Sequence, residues 1–273
     1  MSDIVLSAGV RANLLQLQKT SDLITQTQTK LATGKRVNSA LDNPVNYFTA
    51  QGLSNRAGDL SGLLDSMSSA FNTIQAANNG ITSITKLVQS AQALVSQAQQ
   101  TSDTTVRAGL SAQFDQILTQ IGTLASDSGF NGINLLDNVN SSNLTVTLNE
   151  TGTSSVTINA VDFSATGLAI NNSSNNWGAT ADIQLASVDL TNALAALLAQ
   201  SQAFGSNLST VQIRQDFTKA MINTLQTGAD ALTLADSNEE GANLLALQTR
   251  QQLSTTALSL ASQASQAVLR LFQ

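Results

Sequence analysis

Glu239 and Glu240 are the only adjacent carboxylates in this 273-residue chain, and acid–base chemistry would be sought there first. Nothing of the right type accompanies them. The chain has no histidine and no cysteine, which removes Ser-His-Asp triads, thiol nucleophiles and zinc sites in their usual forms. Its scattered aspartates match none of the spacings of a calcium loop. No GxxxxGK[ST] phosphate loop occurs, and no GxGxxG follows a strand pattern. Glu239 and Glu240 themselves read as the solvated start of a helix. These residue types imply no catalytic centre, no cofactor and no metal.

The charges are too sparse for a nucleic-acid surface. Residues 1–36 hold Arg11, Lys19, Lys30, Lys35 and Arg36 against Asp3 and Asp22, a net of +3. Residues 241–273 add Arg250 and Arg270 with no acid, so the total of −6 leaves −11 for residues 37–240. Counterion release needs several clustered cations, and these lack both clustering and interleaved aromatics. The two ends instead read as sharing one environment and the body another. Only 11% of residues are charged, so amides and hydroxyls must solvate the surface. The longest wholly apolar run, Ala193 to Ala199, is far too short to span a bilayer. The start of the chain lacks the basic-then-apolar order of a cleaved signal peptide.

The elements that such a surface must sit on are long helices. Val10, Leu14, Leu17, Ser21, Ile24, Gln28 and Leu31 step by four and three residues, as do Leu253, Ala257, Leu260, Ala264, Ala267 and Leu271. That alternation averages 3.5 residues and keeps one stripe facing a partner helix. A second stripe runs beside the C-terminal one through Leu247, Gln251, Ser254, Leu258, Ala261, Ser265 and Val268. Two adjacent stripes on one helix suit contact with more than one neighbour.

Between the ends the pattern predicts helices over 3–33, 44–100 and 103–124, with Gly34 as a stop, Pro44 in a first turn and Asp103 as a cap. Gly52, Gly58, Gly62 and Gly80 each weaken the second helix by about 1 kcal/mol relative to alanine. They are either close-packing points or tolerated weak spots. Residues 128–132 form a turn. Leu144, Val146 and Leu148, then Val156 and Ile158, alternate around an Asn/Gly turn and predict a β-hairpin near 144–158. The Asn/Ser run 171–176 is a loop with no apolar content to bury, and Trp177 is a packing anchor. Helix resumes from about residue 181 and breaks near Asp236. The fold class is mainly α, a long antiparallel helical bundle or coiled coil with one small β-hairpin insertion.

The run Leu31-Ala-Thr-Gly-Lys-Arg-Val-Asn-Ser-Ala-Leu-Asp-Asn43 resembles the Leu-Ser-Ser-Gly-x-Arg-Ile-Asn-Ser-Ala-x-Asp-Asp signature of bacterial flagellins, with Arg36, Asn38, Ser39, Asp42 and Asn43 carrying the match. Phe130, Asn131 and Gly132 resemble the Phe-Asn-Gly turn after the family's third helix. Val268 to Leu271 is similar to its C-terminal Val-Leu-x-Leu. The chain looks most like the short flagellins of alphaproteobacteria.

The resemblance implies a structural subunit of the flagellar filament that polymerises with itself for swimming motility. It implies an inner coiled-coil domain of residues 1–36 and 241–273. A bundle domain of 37–240 follows, with the loop 171–177 in place of outer domains. Val10, Leu14, Leu17, Ile24, Leu31, Leu253, Leu258, Leu260, Val268 and Leu271 are the expected polymerisation seam. Ordering an end costs about 1–2 kcal/mol per residue, so both ends are expected to fold only against assembled subunits. An export chaperone, a filament cap and junction proteins are the implied partners, with neither nucleic acid nor membrane. Export without a cleaved signal peptide to an extracellular filament, and a channel lined by the basic ends, follow from the same likeness. The family's charged innate-receptor epitope maps to Ser83 and Gln113 with Leu87 retained, which implies weak receptor activation. A hook–filament junction protein is the alternative, and a secreted adhesin with coiled-coil ends is a weaker one.

Overall fold

The computed structural model describes residues 8–137 and 143–271, with the side chains of Ala8, Ser265 and residues 268–271 left out. Five α-helices carry the described chain: α1 (Ala8–Thr33), α2 (Pro44–Gln100), α3 (Thr104–Asp127), α4 (Thr180–Thr233) and α5 (Ser237–Leu271). Two strands, β1 (Leu144–Thr147) and β2 (Ser155–Ile158), form an antiparallel hairpin. The expected fold class is the one observed.

Two compact units divide the chain, one of residues up to Asn55 and from Thr224 onward, the other of Arg56–Asn223. The sequence boundary at 36 lies in the turn after α1 and that at 241 inside the start of α5, whereas the units part inside α2 and α4. Backbone hydrogen bonding is the reason. Arg36 and Val37 N–H both donate to Thr233 O, at 2.7 and 3.2 Å, and Ala235 N–H donates to Gly34 O at 3.0 Å. The exits of α1 and α4 are thereby stitched together, and the ends of α2 and α4 go with the terminal helices. Gly34 makes this possible at φ +67°, the left-handed stop that glycine adopts without strain.

Within the terminal unit α1 lies against α5. Lys30, in the last turn of α1, meets Glu240, in the first turn of α5, at 3.0 Å, so the helices run antiparallel. Each charge also complements the dipole of its own helix end. Asp236 accepts from the N–H groups of Asn238 and Glu239, capping α5. Glu240 is buried, which corrects the expectation of a solvated acidic pair; Glu239 is the exposed one. The expectation that both ends need a neighbouring subunit also changes in its premise, because α5 already covers one stripe of α1.

The other unit holds the apolar core. Met67, Ala70, Ile74, Ala77, Ile81, Ile84, Val88, Ala91, Val95 and Ala98 line one face of α2 at alternating three- and four-residue steps, all buried. Leu110, Phe114, Leu118 and Ile121 of α3 and Ile183, Leu190, Leu197, Phe204 and Val211 of α4 join the same cluster. This seam is wholly apolar, and the sequence reading passed over it because the glycines and serines between its positions blur the pattern. Of the four questioned glycines only Gly80 is a close approach: a Cβ there would stand 2.7 Å from Leu136 Cδ1, whereas Gly52, Gly58 and Gly62 face open space.

The hairpin pairs Leu144 with Ile158 and Val146 with Val156. Leu144, Val146 and Ile158 point into the core. Asn149 shapes the connection, its Oδ1 accepting from Ser154 N–H at 2.9 Å, and Arg56 forms an ion pair with Glu150. The Asn/Ser loop is held more firmly than its composition implies. Ser173 donates N–H and hydroxyl bonds to Asp115 at 2.8 and 2.7 Å, and Asn171 Nδ2 donates to Asp189 at 3.0 Å. Asn175, Asn176 and Trp177 are all left-handed, with φ of +47°, +49° and +58°. That turn drives the Trp177 ring, fully buried, to 5.1 Å from Phe114, as the packing-anchor reading expects.

Candidate functional site

The site of interest is a surface, built by the terminal helices and the turn that follows α1. On α1 the half-buried or buried stripe is Val10, Asn13, Leu17, Thr20, Ile24, Thr27 and Leu31. It keeps the 3.5-residue period but replaces the expected Leu14, Ser21 and Gln28 by Asn13, Thr20 and Thr27. Leu14, Leu15 and Leu23 are left exposed. Thr20 is tolerated inside because its hydroxyl donates to Gln16 O at 2.8 Å.

On α5 the stripe turned inward is Glu240, Leu244, Leu247, Gln251, Ser254, Leu258 and Ala261, the second of the two stripes seen in the sequence. The first faces outward: Leu253 is 67% and Leu260 61% exposed, and Ala257, Ala264 and Ala267 are exposed with them. The Lys30–Glu240 pair decides between the stripes, since only the one containing position 240 brings the carboxylate onto α1. The structure therefore divides the expected seam. Val10, Leu17, Ile24, Leu31 and Leu258 lie on the paired stripes, and Leu14, Leu253 and Leu260 do not. The side chains of Val268 and Leu271 lie outside the described residues.

The turn between α1 and α2 is organised by Asp42. Its carboxylate accepts from the N–H groups of Asn38 and Ser39, each at 2.9 Å, and from Ser39 Oγ at 3.2 Å. The Ser39 and then the Asn38 N–H hold its carboxyl below the usual aspartate range. Asn43 Oδ1 accepts from Asn46 N–H at 3.0 Å and caps α2, with Pro44 in the first turn. Asn38 Nδ2 closes onto Lys35 O at 3.0 Å, and Arg36 Nη2 reaches Leu232 O at 3.5 Å. Asn38, Ser39, Asp42 and Asn43 thus each have a local bond to make, and Arg36 one to the end of α4. Among the described residues no cluster of three metal-ligating side chains occurs, and no helix is long and apolar enough to cross a membrane.

Residues 8–141 match the bacterial flagellin N-terminal helical region. The crystal structure of Bacillus cereus flagellin superposes with a TM-score of 0.49 at 20% identity, covering 57% of this chain and 88% of that one. Flagellins FljM and FljK of Caulobacter vibrioides align over 280 residues at 32% and 31% identity, in each case across 100% of this chain and 99% of the relative. The chain belongs to the bacterial flagellins.

In this flagellin the Phe130-Asn131-Gly132 motif is a tight reversal. Phe130 and Ile133 exchange backbone hydrogen bonds at 2.9 and 3.0 Å. Asn131 and Gly132, at φ +50° and +80°, supply the left-handed pair that a two-residue reversal needs. The three positions expected to correspond to the family's receptor epitope lie on helices, Ser83 and Leu87 half-buried and Gln113 exposed. Ser83 Oγ donates to Asn79 O at 3.0 Å, Leu87 packs at the edge of the core, and Gln113 lines an open groove with Ser90, Leu94 and Gln116. One residue the sequence reading missed is Arg107. It is buried, and its Nε donates to Thr101 O at 2.7 Å and to Ala98 O at 3.3 Å, closing the α2–α3 corner. Its position four residues after the Asp103 cap was the available signal.

Proposed function

We infer that this flagellin is a structural subunit of the bacterial flagellar filament, self-assembling into a helical polymer for motility. The observation that carries the mechanism is the uncovered stripe on α5, Leu253 to Ala267, beside a stripe already engaged by α1. Each leucine moved from water into a contact contributes about 1.5–3 kcal/mol. A stripe of two such leucines and three alanines, repeated on every copy, favours association. Contacts between unlike patches whose rotation does not close produce an open helix of subunits.

The domain roles follow from the same reading. Residues 1–36 and 241–273 form the inner layer of the filament and 37–240 the layer outside it, with the short braced loop at 171–177 leaving a smooth exterior. The pairing stripes of α1 and α5 are interrupted by Asn13, Thr20, Thr27, Glu240, Gln251 and Ser254, so they stabilise one another less than a wholly apolar seam would, and neighbouring subunits complete their order. The role is that of a scaffold, not a catalyst. The subunit is exported to an extracellular filament, with a dedicated chaperone, a cap and junction proteins as partners. The basic ends line the channel, and Ser83 and Gln113 leave the innate receptor weakly engaged.

Seeded polymerisation tests this reading. The full-length protein should give long filaments by turbidity and negative-stain microscopy, and a version lacking residues 241–273 should give none. Short capped complexes, or no polymer under any seed, would move the chain to the junction role.

A further inference from the structure

We propose that successive copies dock through two unlike patches, a knob of Leu41, Val45 and Phe48 on one copy seating on the Leu185–Val188 face of α4 on the next. This rests on the reading of the chain as a filament subunit and names the surfaces that read one another.

The knob is built. Asp42 draws the N–H groups of Asn38 and Ser39 onto its carboxylate, and the turn so closed holds Leu41 95% exposed. Val45 and Phe48, both exposed, lie three residues apart in the first turns of α2 and share one face of that helix, directly after the turn that presents Leu41. Tyr47 stands edge-on to Phe48 at 5.5 Å and fixes the ring. A pre-shaped apolar knob loses little freedom on docking. Exposed apolar clusters of this kind mark interaction sites. In the same segment Lys35 and Arg36 are exposed and outnumber the Asp42 carboxylate, which stays negative within its own turn, so the segment carries a net positive charge.

Charge selects the partner surface. Two exposed apolar pairs lie on α4. Ile213 and Phe217 are interleaved with Arg214 and Lys219, against the single acid Asp216. Leu185 (64% exposed) and Val188 are flanked by Asp182 and Asp189, and residues 180–192 contain no cation. A knob carrying Lys35 and Arg36 is attracted to the second pair and repelled by the first. Asn171, bonded to Asp189, braces the loop beside that seat. Knob and seat are different patches, so each docked copy still offers one of each, and the contact propagates instead of closing on itself.

The absence of cysteine makes the contact testable by cross-linking in the full chain. A Leu41→Cys/Val188→Cys variant, assembled on seeds and bridged with a short bismaleimide, should run as a ladder of linked oligomers on a denaturing gel. The unassembled variant should stay at monomer mass. Leu41→Cys/Ile213→Cys filaments should give no ladder. A ladder only from the Ile213 variant, or filaments with no ladder from either, would overturn the proposal while leaving the filament reading intact. Failure of the unaltered protein to polymerise would instead overturn both. A second arm does not depend on linker geometry. Lys35→Glu, with an unchanged circular-dichroism spectrum, should raise the critical concentration for assembly about tenfold at low salt. Adding Asp182→Lys to the same chain should bring it back to within about threefold, as a restored complementary pair requires. Absence of that rescue would also count against the docking pair.

Discussion

Asp42 shows how a motif residue acts through one small turn. Its carboxyl is held below the ordinary value of 3.8 by the Ser39 and Asn38 N–H groups. A carboxylate with a lowered native pKa stabilises the fold above its unfolded pKa, and that contribution is lost as pH falls through the native value. The protection factors of the Asn38 and Ser39 amides, taken against the intrinsic rate at each pH, should therefore be high at neutral pH and fall in acid below the usual aspartate range. Asp42→Asn should show low protection already at neutral pH and no acid step. Glycines give a second residue-level test, because the same substitution has opposite signs at two sites on α2. Gly58 faces open space, so Gly58→Ala should stabilise by about 0.4–1 kcal/mol. Gly80 meets Ser128 and Leu136, so Gly80→Ala should destabilise by about 1–3 kcal/mol in thermal unfolding. Trp177→Ala should cost about 3–5 kcal/mol by denaturant titration, since the buried ring leaves a large hole against Phe114.

At the scale of elements, α5 is a helix with two stripes and two jobs. Leu258 belongs to the stripe against α1, while Leu253 and Leu260 belong to the stripe facing water. Substitutions on the two should separate. Leu253→Ser/Leu260→Ser should leave the monomer's helicity unchanged and raise the critical concentration for assembly at least tenfold. Leu258→Ser should lower protection of α1 and α5 in the monomer itself. Equal effects of both on monomer helicity would show that the stripes are not separable. The element map itself was legible. Gly34, Pro44 and Asp103 mark boundaries where the chain must stop, start or cap, and α1, α2 and α3 keep to them within a few residues. The hairpin was readable because period-two alternation around an Asn/Gly turn has few competing explanations.

At the scale of the molecule, assembly should finish the folding that the single chain begins. Hydrogen exchange of α1 and α5 should be slower in filaments than in monomers, with residues 56–223 protected in both, because only that unit encloses a continuous apolar core. Exchange that is equally slow in the monomer's terminal helices would remove ordering on assembly from the mechanism.

The sequence alone determined the helix boundaries, the 3.5-residue period, the hairpin and the absence of conventional catalytic sets, because each depends on residue types a few positions apart. Tertiary structure decided what depends on distant partners. It chose which stripe of α5 turns inward, through an ion pair between residues 30 and 240. It made Glu240 a buried partner while Glu239 stayed in water, and set Arg107 over the end of α2. It also separated Gly80 from three look-alike glycines, since only Gly80 lies where the chain returns through Ser128 and Leu136. Local pattern fixes a helix's period and ends; which of its faces is covered depends on where the rest of the chain comes back to meet it.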